Sequence, residues 1–335
     1  MRAAVIGAGG WGTTLAHLLA ERGHDVVLWA RSEERALELE RERVNKIYLP
    51  FLEIHPNLKV THETSILEDR HLFIFAVPAQ ATRTVVEYLA PALRNPVAND
   101  GVFVSASKGI ERTTMARMSD VLRDGIGAPQ ERILALSGPS HAEEVAKGIP
   151  TAVVAAGPDH SLAKEVQAAF LLPSFRVYSS PDLVGVEIAG ALKNVIAICA
   201  GITDGLGYGD NTKAALITRG LAEMRRLGIA LGADEHTFSG LAGLGDLVVT
   251  CESQHSRNRY VGEQIGKGKK LSQVLTEMKM IAEGVATTQS AKALAERHHI
   301  EMPIVEETYR ILFEDKDPRE ATMDLMTRDA KTERW

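Results

Sequence analysis

A chain of 335 residues, 45% hydrophobic and 24% charged, has the composition of an ordinary globular protein and exceeds what one hydrophobic core usually organises, so two domains are expected. The net charge of −6 argues against a nucleic-acid partner, and any anionic ligand must be met by a local group of basic residues. Only two cysteines occur and no apolar run reads as long enough to span a bilayer, so the expectation is a cytoplasmic protein without membrane insertion.

Ala3–Ile6 reads as a short strand, followed at once by GAGGWGTTLAHLLAERG. The glycines fall at Gly7, Gly9 and Gly12, with a helix over Thr13–Arg22 and a second strand over Asp25–Trp29. This strand–turn–helix–strand setting is what gives GxGxxG its meaning. Gly7 permits the tight turn, Gly9 lets backbone approach a pyrophosphate, and Gly12 lets helix pack on strand. The helix N-terminus then offers unpaired N–H groups to the anion. After the second strand the chain reads Trp29-Ala30-Arg31-Ser32, where an NAD-selective site carries an acid. An arginine there favours a 2′-phosphate, so NADP is expected over NAD; a surface arginine would look the same.

Strands follow at His71–Val77, Val102–Ser105, Arg132–Ser137, Thr151–Ala156 and Phe175–Tyr178, with helices over Thr82–Ala90, Thr114–Arg123, Ala142–Lys147 and Asp159–Phe170. The alternation predicts a Rossmann-like, mostly parallel sheet whose ligands sit beyond the carboxyl ends of the strands. Two polar clusters fall at those ends. In SASKG, Lys108 could meet an anion or be a surface lysine; in SGPSHA, Ser140 could serve a site or simply cap the next helix.

Near Ser180-Pro181 the strands stop, dividing an α/β dinucleotide-binding domain (1–180) from an all-α substrate and catalytic domain (181–335). Gly185–Ala200 is apolar on every side of a helical wheel, which places it in a core. Within it stand Lys193 and Asn194, and Ala189, Gly190 and Ala197 leave space beside the lysine. Lys193 is then either a functional amine or a helix-end lysine that snorkels to water. Asp210 or Asn211 caps a helix running to about Leu231, and glycines around Asp246 bring backbone close to whatever it faces. Ser256 reads as an N-cap, with Arg257 and Asn258 in the first turn. An arginine there opposes the helix dipole unless a phosphate sits at that end. Arg259 reads as a surface residue. Two amphipathic helices complete the chain, His298 and His299 have no further ligand at metal spacing, no metal is expected, and the tail after Asp329 should fray.

The segments GAGGWGTTLA, SASKGIE, SGPSHAEEVA, EIAGALKNVIAICAGITDGLGYGDNTKAALITRG, LAGLGDLVVTCESQHSRNR and IAEGVATT resemble, almost end to end, the bacterial-type NAD(P)-dependent glycerol-3-phosphate dehydrogenases. The resemblance implies that Lys193 is the proton donor and acceptor. It implies that Lys108, Gly138, Ser140, Asp246, Ser256, Arg257 and Asn258 line the glycerol-phosphate site. Gly10, Trp11, Arg31, Lys108, Ala142, Arg257, Ile281 and Glu283 would contact the dinucleotide beside Gly7, Gly9 and Gly12. It also implies a cytoplasmic homodimer that reduces dihydroxyacetone phosphate to sn-glycerol 3-phosphate for phospholipid synthesis. Gly10 stands where the family often has serine, and His141 where it usually has an aromatic ring. Two other readings compete. One is a related two-domain dehydrogenase of a hydroxyacid or sugar-acid phosphate; the other is an NADPH-sensing protein without turnover.

Overall fold

The computed structural model describes residues 1–278, 280–330 and 332–333, and the chain divides into two compact units. One comprises residues 1–108 and 116–186; the other comprises 109–115 and 187–335. The tail expected to fray after Asp329 falls in large part outside the described residues.

In chain order the first unit holds β1 (Arg2–Ile6), α1 (Gly10–Glu21), β2 (Asp25–Trp29), α2 (Glu33–Glu42), β3 (Val44–Asn45), β4 (Leu49–Glu53), β5 (Leu58–Thr61) and β6 (Leu72–Phe75). It continues with α3 (Thr82–Ala98), β7 (Val102–Ser105), α4 (Met118–Ile126), β8 (Ile133–Ser137), α5 (Ala142–Val145), β9 (Thr151–Ala156), α6 (His160–Phe170) and β10 (Phe175–Ser180). Eight strands form one sheet in the order β10-β9-β8-β7-β6-β1-β2-β5, parallel throughout except between β8 and β9. Because β1 lies between β2 and β6, the strand order reverses at its carboxyl end, which is where open sheets of this kind bind ligands.

Side-chain alternation covers both faces of this sheet. Val5, Leu28, Ile74 and Val104 pack with Leu15 and Leu19 of α1 and with Val166 and Phe170 of α6. Ile6, Trp29, Phe73, Phe75 and Phe103 pack with Val86, Leu89 and Leu93 of α3 and with Leu122 of α4. The helix expected over Thr82–Ala90 runs on through Pro91 and Pro96, because Ala92, Leu93 and Pro96 continue its buried stripe. An interior proline costs roughly 3 kcal/mol, which that burial offsets. The helix expected over Thr114–Arg123 starts instead at Met118, since Met115 takes φ +61°, and ends where Gly127 takes φ +71°.

The second unit contains most of α7 (Leu183–Gly205), then α8 (Asp210–Ala230), α9 (Asp246–Glu252), α10 (Arg257–Gly266), α11 (Leu271–Glu277), α12 (Glu283–Arg297), α13 (Pro303–Phe313) and α14 (Pro318–Met326). Contrary to the expectation from sequence, α7 is long and apolar enough to cross a bilayer by length and composition, but 83% of that stretch is buried inside the protein. Gly209, not Asp210 or Asn211, caps α8, with Asp210 as its first residue. Glu223 of α8 is 1% exposed and accepts hydrogen bonds from the N–H groups of Ile304 (2.8 Å) and Val305 (3.2 Å) at the start of α13. Burial pushes its carboxyl up to about 7. Cys199 and Cys251 are buried free thiols, both pushed up to about 12 by desolvation.

Helices α7 and α10 cross with their backbones in contact. A Cβ on Gly201 would lie 1.9 Å from the Arg259 carbonyl oxygen, and one on Gly262 would lie 1.9 Å from that of Ile198. Gly205 and Gly266 are equally confined, at 2.3 Å from the Glu263 oxygen and 2.5 Å from the Ile202 oxygen. Arg259 belongs to this crossing and is not the surface residue the sequence suggests. It is half-buried, with Nε 2.7 Å from Asp204 of α7, and Asp204 also pairs with Lys213 of α8 at 2.6 Å. An arginine three residues inside an N-terminus is tolerated here because the carboxylate comes from a neighbouring helix.

Candidate functional site

The first unit presents an anion cradle at the carboxyl end of β1. Gly7 takes φ +111°, and a Cβ on it would lie 2.7 Å from the Ala76 carbonyl oxygen. A Cβ on Gly12 would lie 1.8 Å from the Gly7 oxygen, so both positions require glycine. A Cβ on Gly9 would meet nothing within 4 Å, which leaves open space in front of the turn. Gly9 caps α1 without a side-chain hydrogen bond, and the first turn carries no acid. Among the described residues the N–H groups of Gly9, Gly10 and Trp11 have no protein acceptor. The Trp11 indole Nε1 is also buried without a partner. Open space, aligned donors and an unpartnered indole together fit a pyrophosphate-containing ligand.

Gly10 faces Tyr48 and Ala142, where a Cβ would stand 3.4 Å and 3.7 Å from their Cβ atoms. Packing does not forbid a side chain there, so the departure from serine loses a hydroxyl without a steric reason. Arg31 follows β2, is exposed, and makes no ion pair or hydrogen bond among the described residues. Ser32 beside it is occupied in capping α2. Lys108, Gly138 and Ser140 meet beyond β7 and β8. Lys108 Nζ donates to the Gly138 oxygen at 2.8 Å and lies 3.5 Å from Ser140 Oγ. Ser140 is not the cap of α5; its hydroxyl donates to the Gly138 oxygen at 2.8 Å, and His141 occupies the cap position without a side-chain capping bond to the helix.

In the second unit, Lys193 is 5% exposed near the middle of α7 and does not snorkel. Its Nζ lies 2.8 Å from Asp246 Oδ1 and donates to Thr250 Oγ1 at 2.6 Å. Asp246, 1% exposed, opens α9, and Thr250 one turn later donates to the Asp246 backbone oxygen at 2.6 Å. A π-helical turn, Leu241–Gly245, immediately precedes α9 and aims the carboxylate. Burying an ammonium is tolerable only with such a partner. The arrangement holds the amine in one place and gives it a hydrogen-bonded relay, as a proton donor requires.

Beside Lys193, Asn194 Oδ1 accepts from Asn258 Nδ2 at 2.9 Å, and Asn258 Oδ1 accepts from the Gly284 N–H at 2.9 Å. This chain of amides joins α7, α10 and α12. Ser256 caps α10 as expected, accepting from the Arg259 N–H at 3.2 Å. Arg257 in that first turn is exposed, with no ion pair or hydrogen bond among the described residues. Glu283 opens α12 next to Gly284, and Ile281 before it is 54% exposed. Thr250 and the Gly284 N–H were not anticipated from sequence, and Asn194 was noticed without a role. Their partners lie 57, 26 and 64 residues away, beyond the reach of any local spacing rule.

A family model described as the NAD-dependent glycerol-3-phosphate dehydrogenase N-terminus matches residues 2–163, and one described as the C-terminus of the same enzyme matches residues 182–323. The chain is 54% identical over 334 residues to glycerol-3-phosphate dehydrogenase (NAD(P)+) 1 of Salinibacter ruber, covering 99% of this chain and 96% of that protein. It is 53% identical to the glycerol-3-phosphate dehydrogenase (NAD(P)+) of Geobacter sulfurreducens, covering 100% and 99%. Its fold matches the crystal structure of glycerol-3-phosphate dehydrogenase from Coxiella burnetii with a TM-score of 0.91 at 37% identity, covering 98% of this chain and 99% of that one. With its two halves matched in turn by the family's own models, the chain belongs to the NAD-dependent glycerol-3-phosphate dehydrogenase family.

Proposed function

We propose that the protein reduces dihydroxyacetone phosphate reversibly to sn-glycerol 3-phosphate with NAD(P)H, as a cytoplasmic homodimer that supplies glycerophospholipid synthesis. The observation that carries this reading is the buried Lys193–Asp246–Thr250 constellation, in a chain about half identical to enzymes named for that reaction. Residues 1–180 act as the dinucleotide-binding domain and residues 181–335 as the helical substrate and catalytic domain.

Gly7, Gly9, Gly10, Trp11 and Gly12 hold the dinucleotide together with Arg31, Lys108, Ala142, Arg257, Ile281 and Glu283. When bound, the reduced nicotinamide supplies the hydride that C2 of the ketone accepts. Negative charge then grows on the carbonyl oxygen, and Lys193 stabilises it and gives it a proton. In the reverse direction the same nitrogen, neutral, takes that proton back. Asp246 and Thr250 keep the amine aimed while the proton moves. Lys108, Gly138 and Ser140 contact the glycerol part, and Ser256, Arg257 and Asn258 receive the phosphate at the N-terminus of α10.

Arg257 carries a guanidinium with no protein partner among the described residues, at a helix end that already attracts an anion. Arg257→Ala is expected to weaken capture of dihydroxyacetone phosphate, by ~2–5 kcal/mol if the bound phosphate buries the contact, read as a raised KM with a smaller change in kcat. An unchanged response to substrate and cofactor removes Arg257 from the site.

Arg31, two residues beyond β2, is likewise a guanidinium without a protein partner among the described residues. The enzyme is expected to prefer NADPH, and Arg31→Ala to lower kcat/KM for NADPH by about tenfold while leaving NADH nearly unaffected. Steady-state kinetics with both cofactors checks this. Equal or better use of NADH by the unmodified enzyme refutes the preference.

A further inference from the structure

The hairpin between α2 and β5 carries a polar side chain that none of the preceding chemistry uses. Asn45, in β3, is 0% exposed, and its amide is fully engaged. Nδ2 donates to the Ala8 carbonyl oxygen at 3.2 Å and to Thr13 Oγ1 at 2.8 Å. Oδ1 accepts from the Arg35 guanidinium, whose other arm pairs with Glu38 at 2.5 Å. The arginine fixes which way the amide faces. An oxygen turned toward Arg35 leaves only the NH2 group to face the glycine turn.

Ala8 lies inside that turn, between Gly7 and Gly9. In a trans peptide the C=O of one residue and the N–H of the next point to opposite sides. Holding the Ala8 oxygen inward therefore turns the Gly9 N–H to the opposite side, away from Asn45, where it has no acceptor among the described residues. Were this peptide to turn over, a carbonyl oxygen would face the anion in place of a donor. The Gly9 oxygen is separately taken by the Thr13 N–H at 2.9 Å, and Thr13 is the second group that Asn45 holds. One buried amide thus fixes both ends of the phosphate-facing segment.

We propose that Asn45 is a positioning residue that sets the donor geometry of the glycine turn, with Arg35 locking its amide. This inference rests on the assignment of that turn to the dinucleotide. Asn45 touches no ligand; it acts through the Ala8–Gly9 peptide.

Asn45→Asp keeps the size of the side chain and its bond to Arg35 but cannot donate to Ala8. It is expected to weaken binding of NADPH, NADH and ADP-ribose alike by about 10–100-fold, the loss expected for an unmade buried hydrogen bond with a misplaced acceptor. The KM for dihydroxyacetone phosphate should stay within a few-fold, and kcat at saturating cofactor should be retained. Arg35→Met, at a part-exposed position, frees the amide to turn and should give a smaller loss of the same pattern. Dissociation constants are measured by titration calorimetry, with melting temperatures recorded for each variant. A purely structural role predicts lower melting temperatures with wild-type dissociation constants in the folded fraction; that result overturns the proposal even if Asn45→Asp folds poorly, because Arg35→Met reports the same quantity. If the unmodified protein binds none of the three ligands, the dinucleotide assignment itself fails and the role of Asn45 falls with it.

Discussion

Lys193→Ala is expected to reduce turnover by about 10²–10⁴-fold while NADPH binding stays near that of the unmodified enzyme. The ammonium sits 2.8 Å from Asp246 and 2.6 Å from Thr250, and the substitution removes the proton donor together with the charge that steadies the developing oxyanion. It also strands Asp246, 1% exposed, without its cation, which costs about 3–5 kcal/mol of stability. The two effects separate in the double variant Lys193→Ala/Asp246→Asn. Replacing the stranded carboxylate by a neutral amide should restore much of the melting temperature and none of the turnover. Stopped-flow or steady-state assays at saturating NADPH, with melting curves beside them, measure both. Turnover near wild type in the single variant removes Lys193 from the chemistry.

A comparable loss of stability, with no charge involved, is expected at the α7–α10 crossing. Gly262→Ala would place a methyl group 1.9 Å from the Ile198 carbonyl oxygen, where neither backbone can move without separating the helices. A destabilisation of ~3 kcal/mol or more follows, with a fall in melting temperature of roughly 6–12 °C. Separation also pulls Asn258 from Asn194, now 2.9 Å apart, so surviving enzyme should bind substrate poorly. Gly209→Ala is the control: its Cβ meets nothing within 4 Å, and the change should cost no more than about 1 kcal/mol, the effect of a weaker N-cap on α8. A Gly262→Ala protein that melts with the unmodified enzyme contradicts the close crossing.

The contrast between what sequence made legible and what it did not follows the range of the interactions. The glycine turn, the Ser256 cap and the buried helix around Lys193 were readable because each is specified within a few residues. The stretch 31–70 was not. Helix α2 buries only Ala36 and Leu39, and the strands beside it run two to five residues, one containing Pro50, so no apolar period stands out. The crossing glycines were equally hidden, since Gly201 and Gly262 acquire meaning only when their helices meet. Arg259 was misread for the same reason: its acid, Asp204, is 55 residues away in the chain and on another helix. The apolar pattern covers only Gly185–Ala200, whereas packing against α10 carries α7 on to Gly205.

The most direct measurement is NADPH oxidation by the purified protein, followed at the reduced-nicotinamide absorbance (about 340 nm) with and without dihydroxyacetone phosphate. The expected result is oxidation that starts only when the ketone is added, yields one sn-glycerol 3-phosphate per NADPH consumed, and disappears in Lys193→Ala. A protein that binds NADPH yet leaves it reduced in the presence of dihydroxyacetone phosphate would contradict the assignment of a proton-donating amine at position 193.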